Sequence, residues 1–115
     1  MDNNKVFGMR FAKVYPLLIA KAERKGRTRD EVDEVTCWLT GYTREDISRM
    51  LDSKITYKGF FDGAPAYHPH AGMISGSICG VKLCDITDPT MLRIRQLDKL
   101  VDELAKGKAM DKIKR

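Results

Sequence analysis

The sequence has 115 residues, of which 43% are hydrophobic and 32% are charged, with a net charge of +5. This length suits one domain with its own core, and this composition argues against a disordered chain or a fibrous repeat. The longest apolar run covers only residues 17–20, whereas a transmembrane helix needs roughly 18–20 apolar residues. Because residues 1–4 also lack a signal-peptide pattern, we expect one cytoplasmic domain over 1–115 that does not contact a membrane.

The cysteine count points to the same compartment. The chain has an odd number of cysteines, Cys37, Cys79 and Cys84, and no feature marks an oxidising environment. Reduced thiols without disulfides are therefore expected.

Helical periodicity begins near the N-terminus. Phe11, Leu18 and Ala22 recur at helical spacing and predict a first helix over residues 9–25, ended by Gly26, with residues 1–8 flexible. Pro16 predicts some distortion of that helix, because proline cannot donate a backbone hydrogen bond.

Two capping boxes follow. Thr28 with Glu31 predicts the start of a second helix over Arg29–Thr40, which Gly41 ends. Thr43 with Asp46 predicts a third helix that carries the apolar residues Ile47, Met50 and Leu51.

The middle of the chain is harder to assign. Thr56 predicts the start of a short helical turn containing Phe60 and Phe61, and the glycines and prolines of residues 63–72 predict a loop. Residues 73–86 fit either a helix or a strand; we favour a helix, because a strand would need a partner, which would point to pairing across a dimer.

A long final helix is predicted over residues 89–106. Asp88 is an N-cap residue, Pro89 suits the first helical position, and Gly107 ends the apolar repeat. Asp102 and Lys106 form a favourable i,i+4 pair, and residues 107–115 form a basic tail or a short helix. The predicted fold class is therefore mainly α, a compact bundle of about four to five helices.

Two groups of cations are candidates for binding a partner. The first lies in residues 21–29 and contains Lys21, Arg24, Lys25, Arg27 and Arg29, and the second lies in residues 106–115. Brought together by folding, they would form a patch for phosphates or for an acidic protein surface. The alternative is that cations gather at helix C-termini because the helix dipole favours them there. No aromatic residue interleaves either group, which weakens the case for stacking on single-stranded nucleic acid.

Weak candidates for a metal or thiol site are His68, His70, Cys79 and Cys84, which are residue types that zinc accepts. Their spacing matches no recognised zinc finger, and small cysteines in an apolar segment are usually buried core residues. We therefore expect no metal and no cofactor.

The leading functional hypothesis is a non-enzymatic module that binds a protein partner or itself, because no catalytic constellation is present. Nucleic-acid binding through the two basic groups is the alternative. The helix-turn-helix outline of residues 29–52 does not favour it, because its second helix opens with Glu45 and Asp46 rather than with residues that contact phosphates.

Three segments carry a resemblance to a known family: RFAKVYP at 10–16, WLTGYT at 38–43 and LDKLVDELAKG at 97–107. Over residues 8–115 the chain resembles the bacterial proteins grouped as domain of unknown function 2200. The resemblance implies a complete one-domain protein. It implies no substrate, cofactor or catalytic residue.

Overall fold

The computed structural model describes residues 3–115, with side chains described from residue 5 onward. In this part of the chain there are seven α-helices: α1 (Asn3–Gly8), α2 (Phe11–Glu23), α3 (Arg29–Thr40), α4 (Arg44–Leu51), α5 (Tyr57–Asp62), α6 (Pro89–Ala105) and α7 (Met110–Ile113). Two strands, β1 (Ser77–Ile78) and β2 (Val81–Lys82), form an antiparallel hairpin between two short 3-10 turns, Ala71–Met73 and Leu83–Asp85. Helices account for 63% of the chain, which confirms the mainly α prediction. None of these helices is long and apolar enough to cross a bilayer.

The core is built around α6, which packs against α2, α3 and α5. Its apolar stripe is fully buried and includes Leu97, Leu100, Val101 and Leu104. An aromatic cluster completes the core: the rings of Phe11 and Phe60 stack with their centroids 4.2 Å apart, and their neighbours Tyr15, Tyr57 and Phe61 are also buried. Most of the burial that drives folding therefore lies between helices that are distant in the sequence.

The helix starts predicted from the two capping boxes are confirmed. Thr28 accepts a hydrogen bond from the backbone N–H of Glu31, and the Glu31 carboxylate accepts from the backbone N–H of Thr28. Thr43 and Asp46 make the same reciprocal pair at α4. Each box satisfies backbone donors that the first turn of a helix leaves unpaired.

The last long helix and the tail also follow the prediction. Asp88 accepts from the N–H of Met91 at 2.9 Å, and α6 ends one residue before the predicted boundary. Gly107 adopts a φ of +87°, the left-handed conformation that ends α6, and α7 is the short helix expected in the tail.

The first long helix begins later than predicted. Arg10 is extended, with φ −71° and ψ 139°, because it forms a β-bridge with Thr56. The N–H of Phe11 donates to the carbonyl of Ile55 at 2.9 Å, and the N–H of Tyr57 donates to the carbonyl of Met9 at 2.7 Å. The helix therefore starts at Phe11, and Pro16 lies in its second turn.

The predicted helix over residues 73–86 is wrong. The segment forms the β1–β2 hairpin, in which Ser77 pairs with Lys82 and Ile78 with Val81. Its tight turn holds Cys79 and Gly80 at φ values of +52° and +79°, a conformation that no helix contains. The strand partner lies within the chain, so the pairing does not require a dimer.

The N-terminal helix α1 lies inside the segment for which we predicted flexibility. It packs against α5, and Val6 and Phe7 contact the core. Residues 1 and 2 of that segment lie outside the described residues.

Candidate functional site

The C-terminal ends of α2 and α6 meet at a basic cleft of about 540 Å³. Both helices stop here because Gly26 and Gly107 turn the chain through left-handed conformations, with φ values of +83° and +87°. The cleft is lined by Lys21, Arg24 and Lys25 from the end of α2, and by Asp102, Ala105 and Lys106 from the end of α6. Folding therefore brings the start of the second predicted basic group beside the first.

Asp102 organises the cleft. Its carboxylate lies 3.4 Å from the Lys21 ammonium and 3.0 Å from the Lys106 ammonium, and only 14% of its side chain is exposed. Burial alone would raise the pKa of Asp102, but the hydrogen bond from Lys106 and the charge of Lys21 outweigh burial and lower that pKa. Asp102 is therefore ionised at neutral pH and positions one lysine from each helix.

Arg24 and Lys25 differ from Lys21 and Lys106 in their contacts. Both side chains are exposed, and neither makes an ion pair or a side-chain hydrogen bond with any residue in the described range 3–115. The cleft therefore presents two cations already held by Asp102 and two that remain available to an outside anion.

Arg27 was predicted to belong to the same binding group, but it serves the fold. It binds the Glu31 carboxylate through two nitrogens, at 2.9 and 2.7 Å. It also donates to the carbonyls of Leu104 at 3.3 Å and Lys108 at 2.8 Å, and so caps the end of α6. The hydrogen bond from Arg27 is the main reason why the pKa of Glu31 is lowered.

Arg29, the last member of the first group, turns towards α3. Its guanidinium lies 3.7 Å from the carboxylate of Asp33, which is buried and also accepts from the Tyr15 hydroxyl at 2.6 Å. Arg29 does not line the cleft.

Most of the basic tail is occupied by acidic partners. The guanidinium of Arg115 binds the buried carboxylate of Glu103 at 2.6 Å, and the ammonium of Lys108 lies 3.5 Å from the same group. Lys114 pairs with Glu34 at 2.6 Å. The tail is therefore docked on α3 and α6 rather than presented as a free cationic arm.

The two histidines and two cysteines considered as metal ligands do not come together as a metal site. Within residues 3–115, no group of three or more histidine, cysteine, aspartate or glutamate side chains is placed to hold a metal ion. His68 stacks on Trp38 with a centroid distance of 4.1 Å, and the Nδ1 of His70 lies 2.9 Å from the Arg115 carbonyl oxygen.

The two cysteines of the hairpin region are exposed, so the expectation that they are core residues is wrong. Cys79 occupies the hairpin turn. Cys84 lines a second cavity of about 260 Å³ between the 72–84 segment and α6, together with Ile74, Leu83 and Gln96. They are exposed because the hairpin turns its apolar residues Ile78 and Leu83 inward and places the thiols on the surface.

Comparison with known proteins identifies the family. The family model described as "Uncharacterized protein conserved in bacteria (DUF2200)" matches residues 5–115. The chain belongs to this family. A solved structure titled "Crystal structure of uncharacterized protein SP1917" is 50% identical in sequence and superposes with a TM-score of 0.93, covering 97% of this chain and 92% of that one. No curated protein matches the sequence. The resemblance inferred from the three sequence segments is confirmed.

The cleft contains two residues that the sequence did not indicate as site residues, Asp102 and Ala105. Asp102 was recognised only as the i,i+4 partner of Lys106, and Ala105 as part of a helix. The apolar stripes of α2 and α6 showed that each helix packs against something, but no local pattern showed that their C-terminal ends meet.

Proposed function

We propose that this DUF2200 protein is a non-catalytic binding module that holds an acidic segment of a partner protein in the cleft between α2 and α6. The proposal is supported by two exposed cations, Arg24 and Lys25, that make no ion pair with another described residue. They lie beside Lys21 and Lys106, which are both paired with Asp102. Four cations and one carboxylate leave the cleft positively charged. Such a surface attracts carboxylates and accelerates their encounter with the protein.

The helix dipoles do not account for all of these cations. Carbonyl groups at the C-terminal ends of α2 and α6 carry partial negative charge, and cations often gather near such ends. At α6, however, the guanidinium of Arg27 already binds one of these carbonyls, that of Leu104. Among the described residues, neither Arg24 nor Lys25 donates a side-chain hydrogen bond to a helix carbonyl, so these two side chains are free to bind another anion.

The cleft suits carboxylates on a peptide better than a nucleic acid. A nucleic acid carries a dense, continuous row of phosphates, whereas the cleft offers only two cations without a partner among the described residues, Arg24 and Lys25. The cleft lining contains no aromatic ring on which a base would stack. Helix α4, which would read DNA in a helix-turn-helix, carries Glu45 and Asp46 in its first turn, and its first residue, Arg44, is paired with Asp30 at 3.2 Å.

The binding test uses a fluorescent glutamate-rich peptide and measures its affinity by polarisation. In the double variant R24Q/K25Q, the affinity should fall about tenfold, because two exposed ion pairs contribute up to roughly 1 kcal/mol each. The matched control, K54Q/K82Q, removes the same net charge from exposed lysines outside the cleft lining and should bind nearly as the wild type does.

Three results would overturn the proposal. The first is that the peptide does not bind the wild-type protein. The second is that both double variants weaken binding equally, which would indicate attraction by net charge alone. The third is that a mixed-sequence single-stranded oligonucleotide binds more tightly than the peptide at the same salt concentration and loses its affinity in R24Q/K25Q.

A further inference from the structure

One large apolar side chain stands out on the cationic face of α2. Leu17 is 64% exposed, the highest value among the exposed large hydrophobic residues in the described part of the chain. Helix α2 buries Phe11, Tyr15, Leu18 and Ala22 on a different face, centred about 130° away around the helix axis, so Leu17 is not part of the stripe that packs on the core.

Helical geometry places Leu17 in line with the cations. At about 100° per residue, positions 13, 17, 21 and 24 fall within roughly a quarter of the helix circumference. Lys13 lies one turn before Leu17 and Lys21 lies one turn after it. Arg24 lies about 10 Å from Leu17 along the helix axis. Leu17 is therefore flanked by cations, and the row leads directly into the cleft.

We infer that Leu17 is an apolar anchor that extends the cleft along α2, so that the partner segment is acidic and carries an apolar side chain next to its carboxylates. This inference rests on the proposed function and narrows the chemistry of the partner. A single exposed leucine is ordinary on a protein surface, and its place in this cationic row is what gives it a role. Contact with a peptide side chain removes apolar surface of both partners from water, which strengthens binding independently of salt.

A second copy of this chain does not fit the same surface. Each copy carries a net charge of +5, and an isologous contact would place Lys13, Lys21 and Arg24 of both copies close together. Like charges brought face to face oppose such a contact. An acidic segment supplies the complementary charge that a second copy lacks.

The experiment compares two glutamate-rich peptides that differ at one central position, leucine in one and serine in the other. The wild-type protein should bind the leucine peptide about tenfold more tightly than the serine peptide. In the variant L17Q this preference should disappear, while the affinity for the serine peptide stays unchanged. The matched control M73Q alters another exposed apolar residue, on a different segment, and should keep the preference.

The outcomes separate this inference from the proposed function. Equal binding of both peptides to the wild-type protein, or an unchanged preference in L17Q, would refute the role of Leu17 and leave the basic cleft intact. Failure of the wild-type protein to bind either peptide would refute the proposed function and this inference with it. Equal melting temperatures of L17Q and the wild type would show that the comparison concerns a folded protein.

Discussion

Arg24 and Arg27 lie three residues apart, yet glutamine substitutions at these positions should have opposite consequences. R27Q removes two contacts to Glu31 and two hydrogen bonds to carbonyls near the end of α6. R24Q removes a side chain that makes no ion pair or side-chain hydrogen bond within the described residues. We predict that R27Q lowers the free energy of unfolding and that R24Q leaves it unchanged but weakens peptide binding.

The size of the effect follows from the burial of Arg27. Its side chain is 16% exposed, so its contacts are only partly screened by water. Hydrogen bonds to charged groups contribute roughly 1.5–3 kcal/mol, and the loss leaves two carbonyls without this partner, so we expect a cost of about 2 kcal/mol. For a chain of this length, that cost lowers the melting temperature by about 8 °C. An exposed, unpaired side chain such as Arg24 should change stability by less than about 0.5 kcal/mol.

Thermal unfolding followed by circular dichroism, together with urea titration, measures both effects. A melting temperature of R27Q within about 2 °C of the wild type would refute the structural role given to Arg27. Equal destabilisation by R24Q would refute the claim that Arg24 is uncommitted. Peptide affinity is the second measurement, and only R24Q should lower it.

Further predictions concern the core, and urea titration checks each of them. Y15F should cost about 1–3 kcal/mol, because the buried carboxylate of Asp33 loses its 2.6 Å hydrogen bond; an unchanged midpoint would contradict this. Y57F should leave stability unchanged or raise it, since the buried Tyr57 hydroxyl has no hydrogen-bond partner among the described protein atoms; a large loss would show that the hydroxyl matters. Burial raises the pKa of the Tyr15 and Tyr57 hydroxyls, so both stay neutral in the folded state at a pH where the same hydroxyls ionise in the unfolded chain. The free energy of unfolding should therefore fall as pH rises above about 10, and it should fall less steeply in Y57F. A flat pH profile would refute this. G41A should cost at least about 2 kcal/mol, because Gly41 has a φ of +83° and an added Cβ would lie 2.7 Å from the Cβ of Ala66; near-normal stability would be the contrary result.

Helix starts that are marked by a capping side chain were predictable because their causes are local. The hydroxyl of Thr28 and the carboxylate of Glu31 can satisfy only donors within three residues of each other, so their spacing specifies the start of α3 wherever that helix packs. The same reasoning located the starts of α4 and α6.

The start of α2 and the hairpin were not predictable in this way. Arg10 is held extended by a bridge to Thr56, which is distant in the sequence. The turn at Cys79 requires a left-handed backbone that cysteine seldom adopts, so residue preferences gave no indication of it. Tertiary contacts determine both features.

The candidate site was predictable only in part. Sequence placed five cations together, but only Lys21, Arg24 and Lys25 line the cleft. Arg27 donates instead to carbonyls 77 and 81 residues away. No pattern within residues 21–29 distinguishes the cations that line the cleft from Arg27, which binds carbonyls, because the difference depends on where the end of α6 packs.

The most direct test of the account is a nuclear magnetic resonance titration of the isotope-labelled protein with the leucine-containing glutamate peptide. We predict that amide resonances shift first at Leu17, Lys21, Arg24 and Lys25 and at the facing Ala105, with small changes elsewhere. Shifts confined to the 77–82 hairpin, or spread evenly over all the basic surfaces, would contradict the claim that the cleft between α2 and α6 is where the partner binds.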